Sequence, residues 1–126
     1  MTGNKGLTVT IQNVNFVNAG FDKPKAQKST TGQYTIKNCT FEGNGTYAYP
    51  IRAYGAKTIN VENCTVNNYL YSFLYVVSGT NTVYVKDVTV ENCPTYAVYF
   101  ASGVNNGTIE KLTVKNSNNG IIYNNT

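Results

Sequence analysis

Apolar and polar residues alternate along this chain in short runs that recur at a nearly constant spacing. Within each run every second residue is apolar, as in a half-buried β-strand. The run occurs five times, with one apolar anchor in each copy: Ile11, Ile36, Val61, Val85 and Ile109. Neighbouring anchors are 25, 25, 24 and 24 residues apart. A period of this length, held over most of the chain, indicates a stack of similar coils.

The alternation breaks directly after each anchor. Two polar residues follow it, and the apolar positions then resume, as they do at Val14 and Phe16. In a straight strand this slip would turn the later side chains to the opposite face. We therefore predict a sharp bend made by residues that tolerate a left-handed backbone. Four of the bend residues form an asparagine ladder: Asn13, Asn38, Asn63 and Asp87. Lys111 in the fifth copy departs from this pattern, so a looser bend is expected there.

The apolar residues after the bend are predicted to stack in two inward columns. The first column contains Val14, Cys39, Cys64, Val88 and Leu112. The second column contains Phe16, Phe41, Val66, Val90 and Val114. One coil cannot bury its own apolar face, so these columns require stacking.

These features predict an all-β chain of about five coils, with 24–25 residues per coil and three short strands in each coil. Residues 1–126 are expected to form a single domain in which residues 1–6 are poorly ordered. The polar stretch 25–30 lies where later coils carry an apolar strand. Residues 19–32 are therefore predicted to form a long loop in an incomplete first coil.

The unit from Ile36 to Phe41, with the sequence Ile-Lys-Asn-Cys-Thr-Phe, resembles repeats of bacterial surface proteins. Those proteins are right-handed, single-stranded parallel β-helices (solenoids) of the pectate-lyase-like superfamily. The resemblance covers residues 7–123, and it implies this fold together with an extracellular or cell-surface location. It leaves the activity open, because the superfamily includes lyases, hydrolases, adhesins and phage tail proteins.

Charge and hydropathy limit the partners that this chain is expected to have. Charged residues make up only 13% of the chain, and the net charge is +4. The basic residues form no stripe with interleaved aromatic residues, so we expect no nucleic-acid partner. No segment is long and apolar enough for a membrane span, and the first residues lack the apolar core of a signal peptide.

The three cysteines are interpreted as thiols. Cys39 and Cys64 share one repeat position, where parallel side chains in register hold their Cβ atoms too far apart for a disulfide. We expect both to be buried as small apolar residues. Cys93 precedes Pro94 in a turn and is expected to be partly exposed. With no histidine and no C-x-x-C pair, neither a metal site nor a cofactor is expected.

Acidic residues are too few to indicate a catalytic site. Glu42 and Glu91 are predicted to point outward two coils apart, at about 10 Å, which is near the separation in inverting glycosidases. No third acid or base supports them, so no catalytic residue is assigned. Lys37, Glu62 and Lys86 share another repeat position and are interpreted as a structural charge ladder.

After the bend unit, three of the coils carry a further apolar strand that ends near a glycine, at Gly55, Gly79 and Gly103. Aligning these glycines predicts inward side chains at Ile51, Ala53, Tyr75, Val77, Tyr99 and Ala101. The outward side chains form the candidate binding surface: Arg52, Tyr54, Leu74, Val76, Val98 and Phe100. An apolar patch of this size indicates a subunit interface, a surface covered by the first loop, or aromatic residues that stack on sugar rings.

The tyrosines add a second aromatic feature. Five of them are predicted to cluster in the third turn and the strand after it: Tyr47, Tyr49, Tyr69, Tyr71 and Tyr96. Such a cluster can bind glycans or cover the edge of the core.

We favour a non-catalytic surface or secreted module that binds a glycan or a protein partner. The open strand edges of a solenoid further indicate a homo-oligomer or a part of a longer chain. Two alternatives stay open. One is a fragment of a polysaccharide lyase or hydrolase, and the other is a purely structural, self-associating spacer.

Overall fold

The computed structural model describes residues 8–23, 32–46, 49–71, 73–94, 96–100, 106–116 and 119–123. Within these residues it describes only the backbone of residues 22, 23, 54, 77–81, 96, 100 and 119–123. The described residues form these strands: β1 (Thr8–Gln12), β2 (Asn15–Val17), β3 (Phe21–Lys23), β4 (Gln33–Lys37), β5 (Thr40–Glu42), β6 (Ile51–Asn67), β7 (Leu74–Glu91), β8 (Tyr96–Phe100), β9 (Asn106–Lys115) and β10 (Asn119–Tyr123). The predicted terminal segment 1–6 lies outside the described residues.

All the strand pairs are parallel, and each joins residues about one coil apart. The anchor residues form one continuous register from Ile11 through Ile36, Val61 and Val85 to Ile109. The column from Phe16 to Val114 pairs in the same way across β2, β5, β6, β7 and β9. The parallel β-solenoid and its period are therefore confirmed.

Five rungs stack at the anchor position, but only the middle three have a closed core. Ile36, Val61 and Val85 are fully buried, whereas Ile11 and Ile109 on the outer rungs are only partly buried. Side chains of an outer rung have a neighbouring coil on one side only. The solenoid thus has about three complete turns, fewer than the five coils that the sequence predicts.

The bends have the backbone that the asparagine ladder predicts. Asn13, Asn38, Asn63 and Asp87 have φ angles of 60°, 55°, 52° and 53°. Lys111 has a φ of 63°, so its bend is as tight as the others and the expectation of a looser bend is wrong. The stacked strands fix this backbone even where the residue tolerates it poorly. The Asn63 amide also donates to Asn38 Oδ1 at 2.8 Å.

A second ladder marks the next bend of each coil, five residues after the first, and sequence reasoning missed it. Four asparagines at this bend have φ angles between 50° and 67°: Asn18, Asn68, Asn92 and Asn116. The second coil has Gly43 at the equivalent position. The signal was present in the sequence, because each of these residues comes two positions after an inward residue of the Phe16 column.

Within the segment predicted to be a long loop, residues 19–32, the structure has a short third strand of the first coil at residues 21–23. Phe21, Asp22 and Lys23 pair in parallel with Ile51, Arg52 and Ala53 of the next coil. Phe21 packs against the core and supplies the apolar residue for this strand. Residues 24–31 of the predicted loop lie outside the described residues.

β6 and β7 are long because each continues from one coil into the next. β6 begins as the third strand of the second coil, and β7 begins as the third strand of the third coil. The corner of β6 lies at Gly55, where φ is +77°. Opposite this corner β7 contains one extra residue, a bulge that shifts the register between the two strands by one residue. Ile51 consequently pairs with Leu74, and not with Tyr75 as the aligned glycines predict. One extra residue at a bulge turns the pairing to the opposite face.

This register corrects the predicted outward surface. Leu74, Val76 and Val98 are completely buried, so their assignment to the outside was wrong. Ile51 and Ala53 point inward as predicted, whereas Tyr75 and Tyr99, predicted to point inward, are partly exposed. The side chains of Tyr54, Val77 and Phe100, together with residue Ala101, lie outside the described part of the structure.

The cysteines are free thiols in the core. Cys39 and Cys64 are buried as predicted. Burial raises the pKa of the Cys64 thiol to about 11. Cys93 is also completely buried, so the prediction of partial exposure was wrong, and burial raises the pKa of its thiol as well. In the described part of the chain no helix is long and apolar enough to cross a bilayer.

Candidate functional site

The outward face of the third strand carries tyrosines in two successive coils and an arginine in the coil before them. Arg52 of β6 pairs with Tyr75 of β7, and Tyr75 pairs with Tyr99 of β8. Because side chains alternate along a strand, these residues point away from the buried Leu74, Val76 and Val98. Tyr49 and Tyr71 precede their strands and approach the same face. We call Tyr49, Tyr71, Tyr75 and Tyr99 the tyrosine row.

The four rings of the tyrosine row are in contact with one another. The ring centroids of Tyr49 and Tyr75 are 4.9 Å apart, and those of Tyr75 and Tyr99 are 5.2 Å apart. Tyr71 lies 5.2 Å from Tyr49. All three pairs are tilted by about 30°, close to an offset-stacked arrangement. The spacing follows the spacing of the coils, which is about 4.8 Å in a stacked sheet.

Arg52 contributes a cation to the tyrosine row. Its guanidinium carbon lies 5.9 Å from the centre of the Tyr49 ring, within the range of a cation–π contact. Its backbone pairs with Asp22 on one side and Tyr75 on the other. Arg52 is the one predicted surface residue that the structure places on this outward face with a described side chain.

The tyrosine row offers ring surface, phenol hydroxyls and one guanidinium. Stacking covers part of each inner ring, so Tyr71, which is 40% exposed, presents the most open ring. Aromatic rings pack against the C–H faces of sugars, and phenol and guanidinium groups hydrogen-bond to sugar hydroxyls. The row can therefore hold a polar ligand that also has apolar faces.

The predicted tyrosine cluster is only partly formed. Tyr49 and Tyr71 join the row, whereas Tyr69 is completely buried and donates to the Ala19 carbonyl oxygen at 2.7 Å. Tyr47 and the side chain of Tyr96 lie outside the described residues. The sequence signal for the row is the 24-residue spacing of Tyr75 and Tyr99, although the aligned glycines predict that both residues point inward.

The two carboxylates considered for catalysis take part in a ladder on another face. Glu42 and Glu91 are two coils apart in register, with Asn67 between them. The Asn67 amide donates to Glu42 Oε1 at 2.8 Å, and Lys115 Nζ lies 3.6 Å from Glu91 Oε1. These contacts give each carboxylate a role within the stack.

The charge ladder of Lys37, Glu62 and Lys86 has the predicted register, and Glu110 extends it by one coil. Beside Glu110, the Tyr84 hydroxyl donates to Glu110 Oε2, and this hydrogen bond raises the pKa of the phenol. Alternating charges on successive coils leave no extended basic surface along this face.

A shallow groove of about 290 Å³ follows the first bend. Its lining residues are Asn63, Asp87, Val88, Thr89, Lys111 and Thr113. Lys111 and Asp87 form an exposed ion pair at 3.8 Å across it. Among the described residues no group of three or more histidine, cysteine and acidic side chains comes together in a way that could hold a metal ion.

Comparison with known proteins agrees with this architecture. The family model for a right handed beta helix region matches residues 2–126. No curated protein matches the chain. No solved structure matches it either. The family match covers nearly the whole chain, and the parallel stack of the described strands is what that family predicts. This chain belongs to the right-handed β-helix family.

Proposed function

We propose that this chain is a non-catalytic module that binds a glycan along the tyrosine row. The observation that carries the proposal is a partly exposed line of four tyrosine rings, with centroids 4.9–5.2 Å apart and Arg52 beside them. An extended oligosaccharide presents ring faces and hydroxyl groups repeatedly along its length. A regular row of rings and phenol hydroxyls is complementary to such a polymer.

The charge pattern favours a glycan over a nucleic acid. Binding to a phosphate backbone depends on several lysines or arginines aligned with it. In the described residues the row has one cation, Arg52, and the lysines of the first strand alternate with glutamates. This arrangement suits a polymer that is neutral or weakly acidic.

The rigidity of the scaffold supports a binding role. The strands beneath the row are fixed by Ile51, Leu74, Val76 and Val98, all completely buried. The rings therefore keep their spacing without a ligand, and little conformational entropy is lost when one binds. We further propose a location outside the cell or at the cell surface, which the resemblance to other β-helix proteins supports.

The test is binding of the purified chain to soluble oligosaccharides and insoluble polysaccharides, measured by calorimetry and depletion. We expect Tyr71→Ala and Tyr75→Ala each to weaken binding about tenfold, the loss expected for an aromatic contact residue. Tyr84→Ala is the matched control, because Tyr84 lies on the first strand of its coil and contacts Glu110. Failure of the wild-type chain to bind any glycan would overturn the proposal, as would equal weakening by the control.

The alternative of a lyase or hydrolase fragment makes a different prediction. An enzyme would release unsaturated products or new reducing ends from the polysaccharide that it binds. We expect the bound polysaccharide to keep its length during prolonged incubation, because Glu42 and Glu91 are engaged by Asn67 and Lys115 away from the row. Shortening of the polysaccharide that is lost in Glu42→Gln would favour the enzyme.

A further inference from the structure

The two outer coils of the described stack present complementary strand edges. Within the described residues, β1, β2 and β3 pair only with later coils, and β9 and β10 pair only with earlier ones. Each set therefore has a row of backbone N–H and C=O groups directed along the axis of the solenoid. Such edges are templates for pairing with a further strand.

The inward columns are incomplete at both edges. Val14 is 38% exposed, whereas Cys39, at the same position one coil later, is 1% exposed. Phe16 is only partly buried, although its ring stacks on Phe41 with centroids 4.6 Å apart. At the other edge Leu112 and the rest of its rung are also only partly buried. Apolar surface is thus open at both edges, in the same columns.

The backbones of the two edges have the same shape at both bends. The first bend has φ angles of 60° at Asn13 and 63° at Lys111. The second has φ angles of 50° at Asn18 and 54° at Asn116. Since every pair in the stack is parallel and about one coil apart, a strand with the geometry of the first coil fits onto the last.

The side chains also match when the register is continued from the last coil to the first. Leu112 would lie on Val14 and Val114 on Phe16, which extends the two inward columns. Among the outward positions, Glu110 would face Gln12 and Lys115 would face Val17. With this register, no two residues of like charge would lie opposite each other in the described rungs of the two copies.

The second ladder is open at its last member. The Asn116 amide donates to Oδ1 of the ladder residue Asn92 at 3.2 Å. The Asn92 amide in turn donates at 2.8 Å to Oδ1 of Asn67, the residue before the ladder residue Asn68. Each of these amides donates to the preceding coil, so Asn116 Oδ1 is the acceptor that a further coil would use. An asparagine at the Asn18 position of a further coil has the matching donor.

We propose that a second copy of this chain docks head to tail, its first coil on the last coil of the first copy, and continues the solenoid. The occupant is a copy of the same chain because its own first coil has the required bends, columns and charges. This inference is independent of glycan binding, since the tyrosine row lies on the side of the stack.

The test uses Val17, which is 59% exposed and would face Lys115 of the neighbouring copy. Association of the full chain is measured by sedimentation velocity over a concentration series, with the particle shape measured by small-angle X-ray scattering. We expect the wild-type chain to form elongated species whose length grows with concentration. Val17→Lys should weaken association and Val17→Glu should strengthen it, each about two- to fivefold, and high salt should reduce the difference.

Two further variants separate this geometry from the alternatives. Val14→Asp places a charge at the junction and should leave the chain monomeric. Tyr71→Lys alters the side of the stack and should leave association unchanged. A monomer at every concentration would overturn the proposal, and this is the result expected if residues 1–7 of the same chain cover the edge. Association that is equal in Val17→Lys and Val17→Glu, or that is lost in Tyr71→Lys, would also overturn it.

Discussion

The hydroxyl of Tyr69 donates a hydrogen bond to the carbonyl oxygen of Ala19, two coils earlier in the stack, at 2.7 Å. The intervening coil leaves room for the ring because it has Gly43 at its second bend. A Cβ atom at Gly43 would lie 3.0 Å from Tyr69 Cδ1 and 2.4 Å from the Asn68 carbonyl oxygen. One buried side chain thereby ties three coils together.

Tyr69→Phe should lower the free energy of unfolding by about 1 kcal/mol, because it leaves a partly buried carbonyl without its donor. Gly43→Ala should cost more, because its new methyl group meets backbone atoms that cannot move aside. Urea denaturation of both variants measures these losses. An unchanged midpoint in Tyr69→Phe would show that the hydrogen bond adds nothing to stability.

The bend ladders make a prediction about left-handed residues. Asn63 has a φ of 52° and donates to Asn38. Asn63→Gly should lose only the hydrogen bond, about 1 kcal/mol, whereas Asn63→Ala should lose a further 1–2 kcal/mol, roughly, from the unfavourable backbone. Thermal and urea unfolding give the ranking. Equal stability of the two variants would contradict this account of the bend.

A stabilising substitution is expected at the first bend of the fifth rung. Lys111 has a φ of 63°, which a lysine adopts less readily than an asparagine. Lys111→Asn should raise the free energy of unfolding by about 0.5–1 kcal/mol, the order found when backbone strain is relieved. The lost pair with Asp87 is exposed and contributes little. A lower unfolding midpoint in Lys111→Asn would contradict the claim that asparagine suits the left-handed backbone of this bend better than lysine does.

Cys64 should make stability sensitive to alkaline pH. Its pKa is raised from 9.0 to about 11 in the folded chain, chiefly by burial. The folded state therefore binds the proton more tightly than the unfolded state does. The resulting contribution to stability is complete below about pH 9 and is lost as the pH rises towards 11.

The measurement is the free energy of unfolding against pH for the wild-type chain and for Cys64→Ala. The difference between the two free energies of unfolding should be constant below about pH 9. Between pH 9 and 11 the wild-type chain should lose stability relative to Cys64→Ala. Groups common to both chains cancel in this comparison. A difference that does not change with pH would mean that the thiol is not desolvated in the folded state.

Most of the fold could be predicted from the sequence because the repeat is strict in the first two strands of each coil. The anchors, the column from Phe16 to Val114 and the asparagine bends recur at 24 or 25 residues, and each follows from its own local chemistry. The structure places all of them as predicted, apart from the fully formed bend at Lys111 and the smaller number of closed turns.

The third strand could not be placed by the same reasoning. The spacing of its glycines is regular, but the bulge at Gly55 adds one residue to the facing strand, and the period does not reveal it. Both faces of this strand are rich in apolar and aromatic residues, so Tyr75 and Val76 look equally suited to the core. Only the register between stacked coils determines which of these two residues points inward. The outward surface in the structure therefore differs from the predicted one.

The most direct test of this account compares lysine at two neighbouring positions of β7. Tyr75 is partly exposed in the tyrosine row, whereas Val76 is completely buried. We predict that Tyr75→Lys unfolds cooperatively within about 1 kcal/mol of the wild-type chain, and that Val76→Lys, with a buried unpaired charge, is destabilised by several kcal/mol or fails to fold. A stable Val76→Lys and an unfolded Tyr75→Lys would place the valines outside and would remove the tyrosine row as the candidate surface.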